Sequence, residues 1–165
     1  MTDGRPSLHP EHARRPNRVT RRHEATPHTA DVGIRAHAPD LAGLFEEAAM
    51  AVAEIGADAL PDGPAATIGG PSNAGLHIDL EAADLPGLAF AWLNELIGLA
   101  DIHGPLDRTE VVAVEALSAG GWRLRGRAAF GGGARPRLDI KSATLHGLVV
   151  ERAGDGWLLA AYLDV

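Results

Sequence analysis

Two aspartates border apolar, strand-like runs at opposite ends of the chain. Asp31 lies in His28-Thr29-Ala30-Asp31-Val32-Gly33-Ile34. Asp164 lies in Tyr162-Leu163-Asp164-Val165, one residue from the terminal carboxylate. If the two runs pair as strands, Asp31, Asp164 and Val165 make a three-carboxylate cluster. Such a cluster repels itself unless protons or a cation intervene, and an all-oxygen donor set is what a hard cation prefers. The competing expectation is that each aspartate simply hydrogen-bonds a turn at a strand edge.

Other residue types narrow the chemistry. There are no cysteines, which excludes disulfides, thiolate metal sites and cysteine nucleophiles. No histidine pair has the H-E-x-x-H spacing of a zinc hydrolase, and none of the four serines lies in G-x-S-x-G. His28 and His146 each stand near a threonine in a strand-edge context, as surface histidines or as groups supporting a site. Gly131 to Pro136 invites a phosphate-loop reading. However, Ile140 rather than glycine precedes Lys141-Ser142, and no helix is expected to follow, so a plain loop is the better expectation. Arg123, Arg125 and Arg127 alternate along one run and would project from one sheet face. They form either a solvated face or a basic patch for RNA, nucleotide or an acidic partner.

The elements that must position these groups follow from periodicity. Val32, Ile34, Ala36 and Ala38 alternate with Gly33, Arg35 and His37, the period of a strand. Asp40 can cap a helix whose apolar face is Leu41, Leu44, Phe45, Ala48, Ala49 and Val52, with Gly56 as its stop. Residues 61–75 are rich in Pro and Gly and are expected to be a loop. Leu76, Ile78 and Leu80 suggest a second strand. Asp84 opens a second helix with Leu85, Leu88, Ala89, Trp92, Leu93, Leu96 and Ala100 on one face, widened by Ile97 and Leu99, and His103-Gly104-Pro105 ends it. Beyond it the chain reads as strands: Glu110 to Leu117, Trp122 to Phe130, Leu138 to Val150 and Trp157 to Val165. Turn signals lie at Ser118 to Gly121 and at Gly154-Asp155-Gly156. The last run is apolar at nearly every residue, as in a central strand buried on both faces. The expected class is α+β, two helices packed on a mainly antiparallel β-sheet as a two-layer sandwich.

The 165 residues suffice for one core. Residues 1–22 carry Pro, His and Arg without periodicity and are expected to be a disordered basic tail, leaving 23–165 as one domain. Residues 1–23 hold six arginines against two acids, a net of +4. The whole chain is −7, so residues 24–165 carry −11. An acidic body is a poor direct ligand for phosphate backbones and a better one for a cation or a protein partner. No apolar run reaches bilayer length and no secretory signal is read, so no membrane contact is expected and the cytoplasm is the expected compartment.

Several segments, in order, resemble the archease family. The opening H-T-A-D-V-G-I is similar to that family's signature, Leu44-Phe45-Glu46-Glu47-Ala48-Ala49 to its first helix, and Trp92-Leu93-Asn94-Glu95-Leu96-Ile97 to its second. Ile140 to Leu148 resembles K-A-x-T-Y-H-x-L, and Tyr162-Leu163-Asp164-Val165 the terminal L-D motif. The resemblance spans residues 24–165. It departs at Pro27, where glutamate is common, at Leu145, where the motif has tyrosine, and at the glycine-rich approach from Gly131 to Arg137. It implies a compact α/β sandwich and no ligase activity of its own. The implied role is that of an accessory protein of RtcB-type RNA ligases, promoting ligase guanylylation and multiple turnover in tRNA splicing or RNA repair. It also implies metal ligation by Asp31, Asp164 and Val165, with calcium the first candidate and manganese or magnesium the others. His28, Lys141 and His146 would support that site or touch the partner, and RNA would be met only indirectly. A stand-alone metal-dependent hydrolase, with His28 or His146 as base, and a chaperone-like binding module remain the alternatives.

Overall fold

The computed structural model describes residues 21–27, 31–56, 75–131 and 139–165. Its elements are β1 (Arg22–Pro27), β2 (Asp31–Ala38), α1 (Leu41–Gly56), β3 (Leu76–Ala82), α2 (Leu85–His103), β4 (Leu106–Ala116), β5 (Trp122–Phe130), β6 (Ser142–Ala153) and β7 (Gly156–Asp164). The loop at 61–75, except Gly75, and most of the glycine-rich segment lie outside the described residues.

The α+β class holds, with the strands divided between two antiparallel sheets. One has the order β1-β2-β7-β6 and the other β3-β5-β4. Each helix packs against both sheets: α1 against β2 and β4, and α2 against β6, β3 and β5. The apolar face of α1 is buried from Leu44 to Val52, and that of α2 from Leu85 to Ile97. By length and composition α2 could cross a bilayer. In the fold its apolar side chains instead fill the centre, where Trp92 is fully buried. The Trp92 indole N–H donates to the Phe45 carbonyl at 3.0 Å, and its ring lies against β5 at Gly126. One side chain thus joins α1, α2 and the smaller sheet, and its polar atom is satisfied where burial demands it.

Both helix starts follow the caps. Asp40 Oδ1 accepts the Gly43 N–H at 2.8 Å, and Asp84 Oδ1 accepts the Gly87 N–H at 2.7 Å, each satisfying a donor the helix leaves open. Gly104, at φ 94°, ends α2. The β6–β7 hairpin closes through Gly154 and Asp155, with Ala153 opposite Gly156 and Gly154 at φ 64°, a left-handed position suited to glycine.

Three expectations need correction. Arg21 and Arg22 were assigned to the tail, but Arg21 pairs with Glu46 at 2.6 Å and Arg22 opens β1. That strand carries little apolar signal. Carboxylates of α1 hold it from outside, because His23 sits between Glu47 at 2.6 Å and Glu54 at 3.0 Å. Next, β4 begins at Leu106 rather than Glu110, and β6 runs from Ser142 to Ala153 rather than from Leu138. Third, β7 is central but only one of its faces is fully buried. Leu159, Ala161 and Leu163 face the core, whereas Leu158, Ala160 and Tyr162 are half-covered and line an open groove of about 260 Å³ with Gly33, Arg35, Gly147 and Val149. Apolar residues on both sides of a strand therefore signalled a groove here as much as a second core. The arginine row, open between a solvated face and a basic patch, has acids beside it. It is the middle of a mixed-charge ladder, with β3 and β4 supplying acids on either side.

A candidate carboxylate centre where β2 meets β7

The two runs that carry Asp31 and Asp164 do pair. They form the antiparallel ladder β2–β7, with Asp31 opposite Asp164, Val32 opposite Leu163 and Ile34 opposite Ala161. This register is set by burial. Ile34 and Ala36 on β2 and Leu159, Ala161 and Leu163 on β7 are all almost fully buried, and a slip of one residue would turn every one of them to the opposite face. The core thus dictates that the two aspartates become register partners at one end of the larger sheet. Ser142, the first residue of β6, is the register partner of Asp164 on its other side.

Lys141 arrives at the same end. Its backbone N–H donates to the Asp164 carbonyl at 2.8 Å, and its ammonium donates to an oxygen of Val165 at 3.3 Å. Asp164 itself is half-buried. Among the described residues its carboxylate has no ion pair and no hydrogen bond. Several other acids are occupied by the fold: Asp40 and Asp84 cap helices, Glu46, Glu47 and Glu54 hold β1, and Asp79 and Glu115 hold arginines. Among the described residues no three His, Asp or Glu side chains converge as a metal cluster. The Asp31 position is fixed here by its backbone register.

The remaining site expectations separate. His28 lies outside the described residues. His146 sits with Leu145 in an irregular stretch of β6, where the ladder to β7 skips from Thr144 to Val149. It is exposed, and among the described residues no bond joins it to Lys141, Asp164 or Val165. Leu145 projects an apolar chain that is 62% exposed. Gly147, at φ 65°, lets the stretch close against the Tyr162 ring, which lies 2.9 Å from where a β-carbon would stand.

Arg123, Arg125 and Arg127 lie far along the other sheet. Arg123 Nε donates to Asp79 Oδ1 at 2.7 Å, and Arg125 reaches Glu115 at 3.2 Å. Arg127 has Glu110 as its register partner on β4. The hydrogen bond and charge of Asp79 hold the Arg123 guanidinium above its ordinary pKa, and the same bond holds Asp79 below the usual carboxylate range. Both groups are solvent-exposed, so this pairing orders the surface more than it stabilises the fold.

Sequence reading passed over two polar side chains that matter for this end of the molecule. Asn94 of α2 accepts the Ala143 N–H at 3.0 Å and donates to the Ala143 carbonyl at 3.2 Å. It acts as a one-residue strand along the open edge of β6, two residues after Lys141. Glu46 of α1 accepts the Val111 N–H at 2.9 Å, where the β4–β5 register shifts, while its other oxygen holds Arg21. Their signal was available: each is a polar residue beside the apolar face of its helix. Periodicity alone assigns such a residue to solvent.

Comparison with known proteins now bears on this architecture. The solution structure of protein 1598 from Methanobacterium thermoautotrophicum superposes with a TM-score of 0.66 over 87% of this chain and 98% of that one, at 23% identity, which establishes the shared fold. The protein archease of Pyrococcus furiosus is 30% identical over 144 residues, covering 84% of this chain and 94% of the relative. That of Thermococcus gammatolerans is 27% identical over 149 residues, covering 87% and 97%. The sequence profile of the Archease protein family matches residues 23–165, nearly the whole described structure, and the chain belongs to that family.

Proposed function

We propose that this protein activates an RtcB-type RNA ligase, promoting ligase guanylylation and multiple turnover in tRNA splicing or RNA repair, through a divalent cation held by Asp31, Asp164 and Val165. Family membership supports the accessory role. The observation that carries the site is the register that makes Asp31 and Asp164 partners, together with an Asp164 carboxylate that has no ion pair among the described residues. The donor set fits a hard cation, being oxygen throughout. The Lys141 ammonium on Val165 indicates that this end already draws positive charge. When bound, the ion would neutralise phosphate charge at the ligase's nucleotide. The chain's own residues would do the rest. Asp31 and Asp164 would supply the charge that holds the ion, and the β2–β7 ladder would hold them in register. Calcium is the first candidate, with manganese and magnesium next. The ligase is the partner and RNA is met through it.

The test mixes purified protein with an RtcB-type ligase, GTP and a divalent ion, and follows label transfer to the ligase and RNA joining over many turnovers. Guanylylation should accelerate in the mixture, and the protein alone should turn over neither RNA nor nucleotide. Metal-dependent hydrolysis by the protein alone would refute the accessory reading. A ligase that becomes more soluble without faster turnover would favour a chaperone-like role instead.

A further inference from the structure

Lys141 is the only lysine in the chain, and the fold brings it to the carboxylate end. The backbone around it is fixed from two sides. Its own N–H is bonded to the Asp164 carbonyl, and two residues on, Ala143 is held through both its N–H and its carbonyl by Asn94. The side chain itself is exposed, and among the described residues its one hydrogen bond is to the Val165 oxygen at 3.3 Å. This is a firmly seated backbone carrying a loosely held ammonium. Lysine suits such a place. Its charge is compact and strongly hydrated, it sits on a flexible stem, and it can leave one oxygen for water at little cost.

An ammonium and a divalent cation compete for the same oxygen. Both are positive, and each seeks the electron pairs that Val165 offers. Without a metal ion, the ammonium partly offsets the negative charge at this end. With one bound, most of that negative charge is met by the ion, and like-charge repulsion weakens the hold of the oxygen on the ammonium. We propose that Lys141 is a tethered counter-ion of the carboxylate centre, displaced when a divalent cation binds, so that ion binding converts a partly neutralised end into one that presents a free ammonium beside a bound ion. An ammonium next to a divalent ion is a pairing suited to phosphate groups. This inference rests on the carboxylate reading above and adds to it an exchange between two cations. Lys141 thereby sets the ion affinity and reports occupancy.

The single lysine makes the test direct. Amine acetylation of the intact protein, read by mass spectrometry of the peptide containing Lys141, measures its exposure with the α-amine resolved separately. Adding calcium should raise the labelling rate of Lys141. In calorimetric titration with calcium, Lys141→Met should bind roughly two- to five-fold more tightly than the parent, because it removes a competitor whose contact is that of an exposed ion pair. Lys141→Arg keeps the charge and should stay near the parent. Thermal unfolding of both variants shows that each is folded. Weaker calcium binding by Lys141→Met would overturn the inference, since Lys141 would then be helping to hold the ion. Normal calcium binding with unchanged Lys141 labelling would also overturn it, while leaving the carboxylate centre standing. No binding of calcium, manganese or magnesium by either parent or Lys141→Met would refute both. Binding by Lys141→Met alone would support the exchange in its strongest form.

Discussion

Asn94→Ala is the most informative perturbation of the scaffold, because its effect can be worked from the structure. Ala143 is 2% exposed. Its N–H and its carbonyl are both satisfied by the Asn94 carboxamide, at 3.0 and 3.2 Å. With alanine at 94 neither group has a partner and water reaches neither readily. A buried polar group left unsatisfied costs about 1–3 kcal/mol. The carbonyl, the longer of the two bonds, falls at the low end of that range, so the sum is about 2–4 kcal/mol. For a protein of this size the melting temperature should fall by about 5–15 °C. Asn94→Asp is the finer probe. It keeps an acceptor for the Ala143 N–H but turns a carboxylate oxygen towards the carbonyl, so it should recover only part of the loss. The assays are urea unfolding of the three proteins and amide exchange at Ala143 in the native state. The reasoning fails if Asn94→Ala lies within about 0.5 kcal/mol of the parent with Ala143 still protected.

Four further outcomes are expected. Asp31→Ala or Asp164→Ala should each abolish ligase activation and ion binding while leaving the circular dichroism spectrum unchanged; wild-type activation in both would remove the carboxylate centre. An extension fused after Val165 should weaken ion binding and activation far more than one fused before Met1, which titration with calcium and manganese on the two proteins will show. At His23, burial pulls the pKa down, but hydrogen bonds and charge from Glu47 and Glu54 outweigh it and the pKa is raised. A raised histidine stabilises fully below its unfolded value near 6.5 and loses that contribution as pH rises through the folded value. His23→Gln should therefore cost more stability at pH 5 than at pH 8, and an equal cost at both would exclude the ionic clasp. Gly126→Ala should destabilise by about 1–3 kcal/mol, since the new β-carbon would stand 2.8 Å from the Glu110 carbonyl and 3.6 Å from Trp92; a neutral effect in chemical denaturation would show that β4 yields there.

Both helices were legible because three signals agreed in each: a capping aspartate, an apolar face at helical period, and a glycine stop. Trp122 to Phe130 was legible as a strand because Leu124, Gly126 and Ala128 alternate inward against three arginines. The same alternation left a solvated face and a basic patch both open. It shows that Arg123, Arg125 and Arg127 share a face. Only the register shows that Asp79, Glu81, Glu110 and Glu115 share it with them. β1 escaped notice because its attachment is ionic, through Arg21 and His23 to α1, and ion pairs between distant segments leave no local period. The division into two sheets escaped for a related reason: strand patterns identify faces and not neighbours. For the carboxylate centre, the sequence supplied the residues and the condition that their strands pair. The condition is met, whereas His146, a candidate by motif, stands apart from the pair.

The position of the two aspartates follows from a balance between local repulsion and distant packing. Like charges made cross-strand partners destabilise a ladder by up to about 1 kcal/mol. Further along the same ladder, Ile34, Leu159 and Leu163 are each at most 1% exposed, and burying a side chain of that size contributes about 1.5–3 kcal/mol. The apolar rows therefore impose the register, and the acidic row must accept it. That imposition is tolerable only at the end of the sheet, where Asp164 is half-exposed and solvent reaches its carboxylate. One row deeper, the same pair would be enclosed with Leu163, and the penalty of burying charge would exceed what the ladder returns. A sheet built from the early and late parts of the chain thus makes Asp31 and Asp164 register partners at its end, and the packing of the apolar rows, not the electrostatics of the acids, sets that placement.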